Sequence, residues 1–285
     1  MSESKSESGE REFWDLRADA WERRADALDG FSDAYGIPVM DALDVQPGER
    51  VLDIGCGPGT TAIELARRVA PDGEVVGVDL SESMTAAATR RADREEVPNL
   101  SFRTADAESG SLGQGFDAVY SRFGVMFFAD PVRAFANIGR ALGAEGRLAC
   151  AVWGSLADNP WMFVPTLAAA PVLQAELTIP GPDAPGPFSL ADPDRVSFVL
   201  TGAGFAHVAV ERLDGARLVT SASAAGDVQM LLEVGPLGEA YQAADDRTRQ
   251  EAVEAVVAAL EPFQEADGWR LPGAAWQVLA RLPSS

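Results

Sequence analysis

The sequence is poor in several things that whole classes of function require. Among 23 basic residues only Lys5 is a lysine; acidic residues number 44 and the formal net charge is −21. Binding a nucleic-acid backbone needs a basic surface. No nucleic-acid partner is therefore expected, nor an anionic membrane surface. Histidine occurs once, at His207, so the side chain used most often as a general base is nearly absent. The two cysteines, Cys56 and Cys150, have no zinc-type spacing. Neither a metal site nor a disulfide is expected, and the chain reads as cytoplasmic. No run of about 18 apolar residues is present, so no membrane span is expected. The opening "MSESKSESGERE" is polar and lacks an apolar stretch, which argues against a signal peptide. Residues 1–9 read as a disordered tail.

What is present is ample core material, with 47% hydrophobic residues in 285, and a regular alternation of element types. Residues 13–30 read as a helix stopped by Gly30, and 32–43 as a second helix disturbed by Gly36 and Pro38. Strand patterns then follow at 50–54, 74–80, 100–106, 116–123 and 146–154. Helix patterns separate them at 60–70, 81–95 and 130–142, with Ser81 as a cap and Pro131 in a first turn. Strands alternating with helices imply a doubly wound, mostly parallel α/β sheet with helices on both faces. Residues 155–190 break the pattern with Pro160, Pro165 and Pro171, and Asn159 is placed to cap a helix there. A helix at 192–204, a strand at 207–214, helices within 223–266 and a last strand at 274–282 complete the reading.

The chemistry concentrates at the end of the first strand, in "VLDIGCGPGT". Gly55, Gly57 and Gly59 sit where a parallel sheet binds its ligands, and a missing Cβ permits tight turns and close approach. The spacing is G-x-G-x-G, with Thr60 where a dinucleotide fingerprint has its third glycine. Asp53 directly precedes the loop, which disfavours a pyrophosphate by like-charge repulsion and suits an ammonium. Asp79 ends the second strand and can accept both hydroxyl hydrogens of a ribose; Asp106 ends the third and can accept an adenine amino hydrogen. A single acid at a strand end can equally be a helix cap. Three of them around one glycine loop suit S-adenosylmethionine, which carries an ammonium, a ribose and an adenine but no phosphate.

These stretches, together with "VVGVDLSESM", "TADAE", "FDAVYSRFGVMFFADP" and "RALGAEGRLACAVW", resemble the class I S-adenosylmethionine-dependent methyltransferases. The resemblance is strong over residues 45–154. It points to the branch of ubiquinone/menaquinone-type and natural-product small-molecule enzymes. It implies a seven-stranded sheet of order 3-2-1-4-5-7-6 with the last strand antiparallel. The cofactor would be bound by Asp53, Gly55, Cys56, Gly57, Gly59, Asp79, Leu80, Met84, Asp106, Ala107 and Ser121, and S-adenosylhomocysteine would be released. The implied organisation is a single domain over 10–285. Within it, 10–45 would be an N-terminal helical cover, 46–154 the cofactor core, and 155–190 and 220–268 insertions forming a substrate lid.

Methyl transfer from a sulfonium asks mainly for in-line positioning and exclusion of water, and positioning can supply ~7–11 kcal/mol. His207 lies in a strand where a surface role is the plainer reading. Tyr35 is the candidate to polarise a substrate hydroxyl or stabilise a cation, and Arg122 the candidate to hold an anionic or carbonyl oxygen. Asp158, Glu233 and Tyr241 are further candidate bases. Trp14, Trp21, Phe123, Phe127, Trp153 and Trp161 suit a pocket for an apolar or aromatic metabolite. The expected reaction is methyl transfer to such a metabolite, with carbon slightly ahead of oxygen or nitrogen as acceptor. Two alternatives stand beside it: a non-methylating protein on the same fold, and a nicotinamide-dependent oxidoreductase. The sequence leaves a homo-oligomer open.

Overall fold

The first strand explains the architecture. In β1 (Arg50–Ile54) every residue after Arg50 is buried, including Asp53. A strand covered on both faces belongs to the middle of a helix-flanked parallel sheet. The computed structural model describes residues 3–177, 181, 184–220 and 223–283. β2 (Glu74–Asp79), β3 (Leu100–Thr104), β4 (Phe116–Arg122) and β5 (Leu142–Trp153) join β1 in parallel. β6 (Ala206–Thr220), β7 (Gln264–Glu265) and β8 (Gly268–Arg281) follow in the chain. The order is β3-β2-β1-β4-β5-β8-β6, with β8 antiparallel to β5. This is the order implied by the resemblance, since β8 takes the place of its seventh strand. The eighth strand is β7, a two-residue piece that pairs with the start of β8.

The chain divides into two compact units. The first comprises 1–153, 182–213 and 275–285; the second comprises 154–181 and 214–274.

In the first unit, α2 (Thr60–Val69), α3 (Glu82–Arg94) and α4 (Pro131–Ala141) flank the strands. Each shows its burial in the sequence: in α4, Ala134, Phe135, Ile138 and Ala141 form one stripe. Ser81 accepts the amide of Met84 at the start of α3, and Asp130 accepts that of Arg133 at the start of α4. Asp192 caps α6 (Pro193–Gly202) in the same way.

The N-terminal region departs from the sequence reading. Instead of a helix stopped by Gly30 and a second one disturbed by Pro38, a single helix, α1, runs Glu3–Leu43. Packing supplies the reason. Tyr35, Val39 and Leu43 lie four apart and are buried, with Met40 beside them, and α1 packs on β4, β5 and α3. Burying such side chains is worth ~1.5–3 kcal/mol each, which outweighs about 3 kcal/mol for a proline and about 1 for a glycine inside a helix. Gly36 is required there: a Cβ would fall 2.5 Å from Arg122 Cδ, and the Tyr120 hydroxyl donates to the Gly36 carbonyl at 2.9 Å. Residues 3–9, read from sequence as a tail, are the first turns of this helix; extension of an existing helix is cheap compared with nucleating one. Residues 1 and 2 lie outside the described residues.

The second unit is mainly helical: α5 (Pro160–Ala169), α7 (Ala224–Val234), α8 (Gly238–Ala243) and α9 (Asp246–Ala259), with α5, α7 and α9 packed together. Asn159 stands at the N-cap position of α5, as expected, but its side chain makes no capping bond. It is fully buried and bridges backbone: its amide donates to the carbonyls of Ser155 and Ala274, and its oxygen accepts the Ala274 amide and the Trp161 indole N–H.

Candidate active site

All three loop glycines have left-handed backbone, with φ of 67° at Gly55, 51° at Gly57 and 89° at Gly59. Their surroundings differ. A Cβ on Gly55 would lie 2.8 Å from the Gly124 Cα, so this glycine lets the ends of β1 and β4 touch backbone to backbone. A Cβ on Gly59 would lie 2.9 Å from the Ala88 Cβ of α3 and 3.0 Å from the Phe102 ring. A Cβ on Gly57 would meet nothing within 4 Å. Internal packing thus accounts for Gly55 and Gly59, and the face of the loop open to a ligand is at Gly57.

The carboxylates differ as well. Asp79 closes the loop from β2: one oxygen accepts the Gly57 amide at 2.9 Å and the other the Ser81 amide at 2.9 Å. Burial raises its pKa, against these two hydrogen bonds and one from Leu80. Asp53 is fully enclosed. Its Oδ2 accepts the Thr61 hydroxyl at 2.6 Å, and its Oδ1 has no partner. Burial pushes its pKa up to about 7 despite Thr61 and the charge of Arg122. Asp106 shapes a turn, its carboxylate accepting the Glu108 amide at 2.8 Å and the Ser109 hydroxyl. Beside it the Ala107 carbonyl is held by Asn137. Ser121 is fully buried, and its hydroxyl donates to the Ile54 carbonyl at 2.7 Å. It ties β4 to β1 beneath the loop. Met84 is buried on α3 and Leu80 half-buried at the end of β2. The Cys56 thiol is buried in the loop, and burial raises its pKa, which keeps it inert.

Arg122 ends β4, but its guanidinium is taken up by α1: it donates to Asp29 and, at 2.8 Å, to Asp33. Tyr35 is fully buried, with ring contacts to Phe31 at 5.7 Å, Trp153 at 5.1 Å and Phe123 at 6.2 Å. Phe123 lies flat on Trp153, centroids 3.8 Å apart and planes at 8°. Its own φ is +64°, an uncommon conformation for a bulky residue and one that clusters at functional sites. A second aromatic group joins Trp14 to Trp21 at 5.9 Å and to Phe127 at 5.0 Å. Trp161 belongs to the second unit, its indole N–H held by Asn159. Asp158, Glu233 and Tyr241 also lie in the second unit, and His207 is exposed on β6.

Four residues of this arrangement were not singled out from sequence. Gly124 follows a strand end in "SRFG" and carried a readable signal. Thr61, Asp29 and Arg91, whose guanidinium on α3 donates to the Thr60 hydroxyl at 2.6 Å, carried none, because each acts through a partner on another element.

The donor set fits S-adenosylmethionine. An enclosed carboxylate oxygen without a donor is what a cationic ligand satisfies, and the loop is open at Gly57 beside the Asp79 carboxylate. Among the described residues no group of three or more His, Cys, Asp or Glu lies together as metal ligands would, and no helix is long and apolar enough to cross a membrane.

Comparison with known proteins agrees with this geometry. Residues 51–146 match the family described as "Methyltransferase domain". Nocamycin O-methyltransferase of Saccharothrix syringae is 34% identical over 130 residues, 42% of this chain and 46% of that protein. Aklanonic acid methyltransferase of Streptomyces sp. (strain C5) is 35% identical over 120 residues, 42% of this chain and 54% of that protein. The chain thus spans about half the length of these curated relatives. Haemonchus contortus phosphoethanolamine N-methyltransferase 2, solved with phosphomonomethylethanolamine and S-adenosylhomocysteine, shares the fold: TM-score 0.53 and 20% identity, over 88% of this chain and 52% of that one. Residues 51–146 thus match a methyltransferase domain, the nocamycin and aklanonic acid methyltransferases are similar to this chain over about two fifths of its length, and the fold is shared with solved methyltransferases.

Proposed function

We propose that this chain transfers the methyl group of S-adenosylmethionine to a small, largely apolar or aromatic metabolite. The observation that carries the reading is a glycine loop open only at Gly57, closed from behind by Asp79 and backed by an enclosed, half-satisfied Asp53. In this reading Asp53 faces the ammonium end of the cofactor and Asp79 the ribose. A carboxylate can accept up to four hydrogen bonds, so Asp79 keeps capacity after holding Gly57 and Ser81. Gly55, Cys56, Gly57 and Gly59 shape the loop, Leu80 and Met84 flank the adenosine, and Asp106, Ala107 and Ser121 support the adenine side and the floor.

The cofactor, when bound, supplies a methyl group already electrophilic on its sulfonium. The chain then has to hold an acceptor in line and keep water away. Trp14, Trp21, Phe123, Phe127 and Trp153 provide flat apolar surface for that purpose. Tyr35 and Arg122, expected to touch the acceptor, receive positioning roles instead. Tyr35 is packed among rings and Arg122 is engaged by Asp29 and Asp33. The exposed His207 leaves no histidine for proton removal, which favours a carbon acceptor whose proton is lost after transfer. A relative named as an O-methyltransferase makes oxygen the competing acceptor. The net charge of −21 disfavours nucleic-acid substrates, and two free, buried cysteines suit a reducing cytoplasm.

Thermal unfolding with S-adenosylhomocysteine, S-adenosylmethionine and NADH in parallel tests the reading. A ligand at ~100 times its dissociation constant adds roughly 2.7 kcal/mol. A rise in Tm with the adenosyl ligands only is expected; a rise with NADH only, or none, overturns the proposal. Mass spectrometry of hydroxylated and activated-methylene aromatic compounds, incubated with S-adenosylmethionine, then reports a methyl added at oxygen or at carbon.

A further inference from the structure

One carboxylate outside the expected site connects three elements at the mouth of the loop. Asp29 of α1 is 12% exposed at its side chain and carries one oxygen to Arg122 of β4. Its other oxygen accepts the Thr60 hydroxyl at 2.7 Å and lies 3.6 Å from the Arg91 guanidinium of α3. Arg91 in turn donates to the same Thr60 hydroxyl at 2.6 Å. Thr60 is the residue directly after Gly59, so its hydroxyl is held between an acceptor on α1 and a donor on α3. We propose that Asp29 is a positioning residue for the cofactor loop: it couples the seating of α1 to the conformation of the 55–60 turn and thereby sets cofactor affinity. The inference rests on the cofactor reading above.

The physical case is one of degree and place. The Asp29 group is largely shielded from water, so its charge interactions are screened far less than those of exposed pairs. Removing the shared carboxylate would leave Arg122 to Asp33 and Arg91 to Glu95, and would take from the Thr60 hydroxyl its acceptor on α1. The cost would fall on the loop, because Thr60 is the third member of the cluster. A second ion pair made by α1, away from the loop, serves as the comparison. Asp41 of α1 meets Arg68 of α2 at 2.6 Å, but Asp41 is 61% exposed and the pair lies at the far end of α2 from the loop. Exposed pairs of that kind contribute little.

The test measures S-adenosylhomocysteine affinity by isothermal titration calorimetry, and Tm by circular dichroism, on the full chain. Asp29→Asn and Thr60→Val are each expected to weaken binding about tenfold. Asp41→Asn should change it less than about twofold. Thr60→Ser, which keeps the hydroxyl, should restore wild-type affinity. Thr60→Val leaves the Asp29–Arg122 pair in place, so it stays informative if Asp29→Asn folds poorly. Equal weakening by Asp41→Asn, unchanged affinity in Thr60→Val, or loss in Thr60→Ser overturns the inference. Failure of the wild-type chain to bind S-adenosylhomocysteine would instead overturn the cofactor reading itself.

Discussion

Asp53 in the first unit and Asn159 in the second are both fully buried polar residues, yet they stand in opposite conditions. Asn159 has every hydrogen-bonding position filled: two carbonyls on its amide, a backbone N–H and an indole N–H on its oxygen. Asp53 has one oxygen bonded to Thr61 and the other bare. A fully satisfied buried polar group specifies structure, because it holds a helix start to a strand and asks for nothing more. A half-satisfied one beside an open glycine asks for a ligand. The same contrast separates the glycines within one loop, where Gly55 and Gly59 are occupied by the protein and Gly57 is not.

Four experiments sharpen or break this contrast. The largest effect belongs to Asp79→Ala, which strips the acceptor from the Gly57 and Ser81 amides. S-adenosylhomocysteine affinity should fall roughly a thousandfold by calorimetry, and intact binding would remove Asp79 from the site. Next, Asn159→Ala should lower stability by about 2–4 kcal/mol in urea unfolding, since it removes the buried hydrogen bonds that Asn159 makes to the Ser155 and Ala274 backbone. Cofactor affinity of the folded fraction should stay as in the wild type; a parallel loss of affinity would erase the distinction between the two residues.

The glycines should divide in the same way. Gly55→Ala drives a Cβ into the Gly124 backbone and should cost about 2–3 kcal/mol of stability. Gly57→Ala has free space and should cost only about 1 kcal/mol, for its left-handed backbone, yet weaken S-adenosylhomocysteine binding more than its stability cost explains. Equal stability losses for the two would contradict the geometry.

The last experiment concerns pH. In the folded chain Asp53 keeps its proton up to about 7, against an ordinary value of 3.8. Between these values the folded state binds more protons than the unfolded one, so the contribution of Asp53 to stability falls as pH rises. Asp53→Asn should remove that component; a shift from 3.8 to about 7 is worth about 4 kcal/mol in all, so the Tm profile should flatten by roughly 8–15 °C across the window. Identical profiles would show that Asp53 titrates normally.

Legibility followed the range of the interactions. The alternation of strands and helices from β1 to β5 was readable, because burial on both faces writes itself into short apolar runs and the helices into stripes. Ser81, Asp130 and Asp192 were readable at helix starts, since a cap and its amide lie within three residues. The unbroken α1 was not: Gly30, Gly36 and Pro38 are local stop signals, overridden by packing on strands more than eighty residues away in the chain. The position of Asn159 at the start of α5 was readable, but not where its side chain bonds, as its partner Ala274 is more than a hundred residues away.

The sequence alone determined the class of the core, the position of the loop and the ring of strand-end carboxylates, because each follows from a local pattern that few folds share. Only the tertiary structure decided which glycine is left open and which carboxylate oxygen is left without a hydrogen-bond partner. It also showed Arg122 bound to α1 and Asp29 reaching the loop. Those outcomes depend on which side chains meet across the carboxyl ends of the strands. Such meetings are set by packing between segments far apart in the chain, where sequence spacing carries no record of distance.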